Sequence, residues 1–206
     1  MGRNSGGNNT GAGPGDLGKG DSGYRGSITN VQSLVHMKDK QLYKETKQAI
    51  SRYHAVMGVR ERNVKLADMD KSVMGVQASV GGQSTAVYLN KKYYNKSAGE
   101  FKENIQKQYK SGWQTETNRP TAHVTTHELA HSTWNSSLTA ANAQAAGKEI
   151  SKLYRKWRGD KTKKGYGRYS MTNVNEFWAE TVTKAVHGRS DKYTTAVKRI
   201  ARKYKL

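Results

Sequence analysis

Thr126-His127-Glu128-Leu129-Ala130-His131 contains the pattern H-E-x-x-H. A second stretch follows, Tyr169-Ser170-Met171-Thr172-Asn173-Val174-Asn175-Glu176-Phe177-Trp178-Ala179-Glu180. The first reads as helix. Positions i and i+4 of a helix share a face, so His127 and His131 can hold one metal ion between them. Glu128 follows the first imidazole and can take a proton from a water attacking a carbonyl. Two imidazoles and a water leave zinc one protein ligand short. The second stretch supplies carboxylates: Thr172 or Asn173 can cap a helix on which Glu176 and Glu180 lie one turn apart. Beside Phe177, Trp178 and Ala179 they are expected to be buried, and a buried carboxylate needs a metal or an imidazole as partner. The plainer readings are an ordinary helix with two surface histidines and a solvated acidic face.

Around these two helices the pattern is α+β. Asp39 is placed to cap a helix carrying Leu42, Ala49, Ile50, Tyr53 and Met57 on one face, with Gly58 as its stop. Val64 and Leu66 mark a short strand. Val76, Ala78 and Val80 alternate, Gly81-Gly82 supplies a turn, and Ala86 to Leu89 forms a second strand. A helix around Phe101, Ile105 and Tyr109 ends at Gly112. The metal helix starts near Pro120 and runs to about Trp134. Ala146, Ile150, Leu153 and Trp157 mark another helix, and residues 158–168 a Gly- and Lys-rich loop. A helix from about Val174 to His187 is closed by Gly188. The last helix, capped by Ser190, carries Tyr193, Val197, Ile200 and Tyr204. The expected architecture is several helices packed on a small antiparallel sheet.

The 206 residues suit one domain plus tails. Residues 1–27 hold ten of the 21 glycines and almost nothing apolar, so they read as a disordered tail, with the domain at 28–206. The absence of cysteine excludes disulfides, zinc–thiolate sites and cysteine nucleophiles. With no long apolar segment and no signal-type stretch, a soluble protein is expected, with no membrane partner. Lys and Arg number 36 against 16 Asp and Glu, a net charge of +20. Lys152, Arg155, Lys156, Arg158, Lys161, Lys163, Lys164 and Arg168 form one basic run, and Lys198, Arg199, Arg202 and Lys203 flank the last apolar stripe. These are either a solvated face or a groove for DNA or another polyanion.

His127 to His131, followed by Y-x-x-T-N-x-x-E-F-[aromatic]-A-E, resembles the anthrax lethal factor-like zinc metallopeptidases and metallopeptidase domains encoded by phages. The resemblance spans roughly residues 75–187. It implies a zincin-like domain hydrolysing a protein or peptide substrate with Zn²⁺ held by His127, His131 and Glu176. It makes Glu128 the base, Tyr169 the electrophilic helper and Glu180 the partner of a ligating histidine. The run Val87-Tyr88-Leu89 resembles the strand such domains place ahead of the metal helix, and it is expected to pair with substrate backbone. Phage virion or infected-cell cytoplasm is the location the resemblance suggests. Tyr166 is the alternative tyrosine. His123 lies a turn before His127, but it is read as rotated away from the metal. His36, His54 and His187 read as surface or packing residues. The rival functions are a basic virion- or nucleic-acid-associated binding protein of the same fold, and a toxin or effector protease.

Overall fold

The computed structural model describes residues 24, 26–59, 61–80, 83–135 and 140–206. The tail expected at 1–27 lies mostly outside these residues, as does the Gly81-Gly82 turn.

Asp39 caps α1 (Lys40–Met57), its carboxylate accepting from Leu42 N at 2.7 Å. Gly58 ends the helix at φ 68°, where a side chain would be strained. The apolar face Leu42, Ala49, Ile50, Tyr53 and Met57 is buried. Four strands follow the sequence pattern only in part: β1 (Thr29–Ser33), β2 (Val64–Asp68), β3 (Gly75–Val80) and β4 (Gln83–Asn90). Their order in the sheet is β1-β2-β4-β3. β3 and β4 form the expected antiparallel hairpin, with Val80 opposite Gln83. β4 rather than β3 docks on β2, and it runs parallel to it, with Val64 opposite Val87 and Leu66 opposite Leu89. The sheet is therefore mixed and not antiparallel throughout. The hairpin inserts its second strand next to β2, and this leaves β3 at the edge.

The helices are α2 (Lys91–Tyr94), α3 (Ala98–Lys110), α4 (His123–Asn135), α5 (Ala140–Gly159), α6 (Val174–His187) and α7 (Lys192–Tyr204). Ser97 and Glu100 form a capping box on α3. A 3₁₀ turn at Pro120–Ala122 leads into α4. Asp191, not Ser190, caps α7, because its carboxylate reaches both Tyr193 N and Thr194 N at 2.9 Å. No helix of the described residues is long and apolar enough to cross a membrane.

α4 is the centre of the molecule. Its residues from His123 to Thr133 are all buried although most are polar. Its neighbours supply the polar partners that such burial requires. Tyr53 donates from α1 to Leu129 O at 3.0 Å, and Tyr94 bonds to Thr125 at 2.9 Å. From α6, Trp178 Nε1 donates to Ala130 O at 2.9 Å. At the far end of α6, His187 Nε2 meets Thr126 Oγ1 at 2.8 Å.

Burial, together with the positive charge of Arg52, lowers the His187 pKa from 6.5 to about 3. The unfolded chain then takes up a proton that the folded chain refuses. The stability this residue contributes is complete above its unfolded pKa and is lost as the pH falls toward the folded one. Urea titrations from about pH 7 to about pH 4 should show falling stability, with a slope shallower by about one proton in His187→Gln. Identical slopes in the two proteins would show that His187 titrates freely in the fold.

Candidate metal centre

His123, His127 and His131 recur every fourth residue, which puts all three on one side of α4. α6 brings the carboxylates. Asn173 Oδ1 accepts from Asn175 N at 2.8 Å and Glu176 N at 2.9 Å, so the helix begins there and Glu176 lies in its first turn. A carboxylate at that end is favoured by the helix dipole. The Trp178–Ala130 hydrogen bond then fixes α6 against α4.

The two helices bring three donor atoms together. His127 Nε2 and His131 Nε2 lie 3.0 Å apart, and Glu176 Oε2 lies 3.1 Å from the first and 3.4 Å from the second. All three residues are buried, so two surface histidines and a solvated acidic face are both ruled out. Ligands on a tetrahedral zinc at about 2.0–2.1 Å are separated by roughly 3.3 Å, so the triangle is close to the size such an ion requires. The chemistry fits as well: two imidazoles and one carboxylate are a zinc donor set that leaves a coordination position open. Glu176 Oε1 is buried with no hydrogen-bond partner. Three electron-rich atoms this close need a cation among them. Without a metal a proton serves. Burial opposes a charged His127, but Glu176 and Glu180 outweigh it and hold its pKa well above the ordinary value. Against the same burial, His131 and His127 hold Glu176 down to about 2.

Glu180 does not join this triangle. Its Oε1 lies 3.0 Å from His127 Nδ1 and 3.1 Å from His123 Nε2, and its Oε2 accepts from Thr115 N at 2.6 Å. A proton on Nδ1 leaves the Nε2 lone pair of His127 facing Glu176 and His131. His123 stays outside the triangle, as the sequence suggested, but it reaches the centre through Glu180. Its ring lies nearly parallel to that of His127, 6.1 Å away, and its other nitrogen bonds to Tyr109 OH at 3.0 Å. His123, His127 and Glu180 are themselves close enough to hold an ion. Ordinary hydrogen bonds already satisfy that group, so the triangle with His131 and Glu176 is the better metal site.

Tyr169 stacks on His127 with ring centroids 5.6 Å apart and 14° between planes, and also on Trp113 at 5.3 Å. Its backbone is held by Tyr169 N donating to Trp113 O at 2.8 Å. Gly167 permits this approach, because a Cβ there would lie 2.3 Å from Trp113 O. Tyr166 is engaged elsewhere: it bonds to Asp191 at 3.0 Å and packs edge-on against Trp157. Glu128 is buried on the sheet side of α4, against Gly75 of β3, where a Cβ would come within 2.8 Å of Glu128 Cγ.

Val87, Tyr88 and Leu89 do not form a substrate edge. β4 is paired with β2 on one side and β3 on the other, so its backbone groups are committed to the sheet. Val87 and Leu89 are core residues. β3, which carries Gly75 beside Glu128, is one of the two edge strands, and no described strand covers its outer side. Of the site's residues, sequence reasoning set His123 aside despite its four-residue spacing from His127, placed Tyr109 only on a helix face, and missed Trp113, Thr115 and Gly75, which carry no signal.

Comparison of the chain with family models, curated proteins and solved structures returns no match.

Loss of the His123 donor should loosen Glu180 and, through it, His127. His123→Phe should weaken zinc binding by about 10- to 100-fold, while His123→Gln, which can still donate, should recover most of it. Competition with a chelating dye measures both, with circular dichroism to confirm the fold. Wild-type affinity in His123→Phe would remove His123 from the site.

Proposed function

We propose that this chain is a zinc-dependent endopeptidase with a zincin-like domain of the anthrax lethal factor-like type. The observation that carries the reading is the buried triangle of His127 Nε2, His131 Nε2 and Glu176 Oε2, with edges of 3.0 to 3.4 Å. Glu128 on the same helix and Tyr169 on the His127 ring add to it. The donors suit zinc, whose contribution when bound would be to polarise a carbonyl and acidify a water.

The chain's own residues do the rest. Glu180 fixes the tautomer and direction of His127. Glu128 accepts the proton of the attacking water and passes it to the leaving amine. Tyr169 donates a hydrogen bond to the oxyanion as it develops. Burial of all these groups keeps bulk water from screening them. The outer edge of β3 offers backbone groups to an extended peptide beside Glu128, the role the sequence had given to Val87–Leu89.

Glu176→Ala should abolish stable zinc binding, while Glu180→Ala should weaken it by roughly 10- to 100-fold, as loss of a ligand's partner does. The reverse order in a dye-competition assay would overturn the ligand assignment.

Glu128→Gln should keep its zinc yet lose most turnover on a peptide library, because an amide accepts no proton. Gly75→Ala should also retain zinc and slow turnover by displacing Glu128. Near-normal cleavage by zinc-loaded Glu128→Gln would refute the base. Wild type that binds zinc but cleaves no member of the library would refute the peptidase reading.

A further inference from the structure

The chain's positive charge is concentrated by the fold. α5 carries Lys148, Lys152, Arg155, Lys156 and Arg158 against one acid, Glu149. α7 carries Lys192, Lys198, Arg199, Arg202 and Lys203 and no acid. Together they hold ten cations against one acid, a net +9 in 33 residues of a chain whose total is +20. The two helices are far apart in sequence but pack side by side. Glu149 joins them: it pairs with Arg199 and accepts from Lys203 Nζ and Tyr204 OH, both at 3.0 Å. The single acid is thus already neutralised, and the surface around it is cationic.

The cations point outward in rows. Lys148, Lys152, Arg155 and Lys156 are exposed along α5. On α7, Lys198, Arg199, Arg202 and Lys203 line a shallow depression of about 710 Å³ with Thr195. Several like charges stand at i and i+4, among them Lys148 with Lys152, Lys152 with Lys156, and Lys198 with Arg202, an arrangement that destabilises a helix. A partner that neutralises the charge would give these residues a use that the isolated fold does not. The apolar stripe of α7, Tyr193, Val197 and Ile200, faces inward and is buried. The exposed large apolar side chains among the described residues are Val31, Val35 and Met171, none of them on α5 or α7. A membrane-surface helix would present such side chains beside its cations. A phosphate backbone needs only the cations.

We propose that the outer faces of α5 and α7 form one docking face for the phosphate backbone of nucleic acid, read without regard to base sequence. DNA and RNA share this chemistry. None of these cations is among the residues of the metal centre.

The test is fluorescence anisotropy of full-length protein with short DNA and RNA duplexes of mixed sequence, across a range of salt. One variant combines Lys148→Gln, Lys152→Gln, Lys156→Gln and Lys198→Gln. A control of equal net charge combines Lys40→Gln, Lys44→Gln, Lys47→Gln and Lys102→Gln on α1 and α3. Wild type and control should bind with affinity falling steeply as salt rises. The α5/α7 variant should bind roughly tenfold or more weakly, and the slope of log affinity against log salt should be shallower by up to about 3–4. Thermal unfolding of each variant checks the fold. Binding of DNA alone, RNA alone or both identifies the source of the phosphate, and each is a supporting result. Equal weakening in the two variants would show that net charge, not this face, binds, and would overturn the proposal. No binding to either duplex at low ionic strength would overturn it, and so would capture by phosphatidylserine vesicles alone.

Discussion

The carboxylate of Glu180 ties three distant parts of the chain to one point. It takes hydrogen bonds from His123 and His127 of α4 and from the amide of Thr115, while belonging itself to α6. A buried carboxylate without such donors would be a heavy destabilising load, and removing one partner of a buried pair costs about 3–5 kcal/mol. With them it becomes the joint on which the centre is aligned. Glu176 stands one turn earlier on the same helix, so α6 both contributes a donor and orients an opposing one. A small slide of α6 along α4 would disturb both contacts together. The Trp178–Ala130 hydrogen bond, between the two glutamates in sequence, opposes that slide.

Much of this was legible from local pattern. The H-E-x-x-H spacing, the Asn173 cap and the glutamates one turn apart concern residues within a few positions of each other, where helix geometry alone decides what faces what. Asp39 and Gly58 bounded α1 for the same reason. Strand order was not legible, because whether β3 or β4 lies next to β2 depends on which hairpin face covers α4, a contact that no local period encodes. The burial of α4 was equally hidden. Val124, Leu129 and Ala130 are its apolar core residues among many polar ones, so an ordinary helix with two surface histidines stayed open, and the partners on α1, α2 and α6 show otherwise. The contact of His123 with Glu180 was hidden because the two lie 57 residues apart. Gly75 and Trp113 have no sequence signal, since their importance lies in what packs against them.

The fold also separates two kinds of charge. The acidic groups Glu128, Glu176 and Glu180 are inside, all on the two helices that meet at the centre. The cationic excess is outside, and nearly half of it lies on two adjoining helices. Net charge alone does not reveal this division, because the buried acids and the exposed bases are counted in one total.

The two ends of the sheet are built differently. β1 is exposed along its whole length, is irregular between Thr29 and Gln32, and carries Asn30 at φ 49°. Lys91 guards it, pairing with Asp68 on the neighbouring strand at 3.8 Å and donating to Asn30 O. A short, kinked, charged margin is a poor template for another strand. The outermost strand at the opposite end is longer, and its first residues are packed beside the histidine helix. The sheet is thereby polarised. Recruitment of an extended chain by backbone hydrogen bonding is discouraged at one margin, and the margin left open to it is the one beside Glu128.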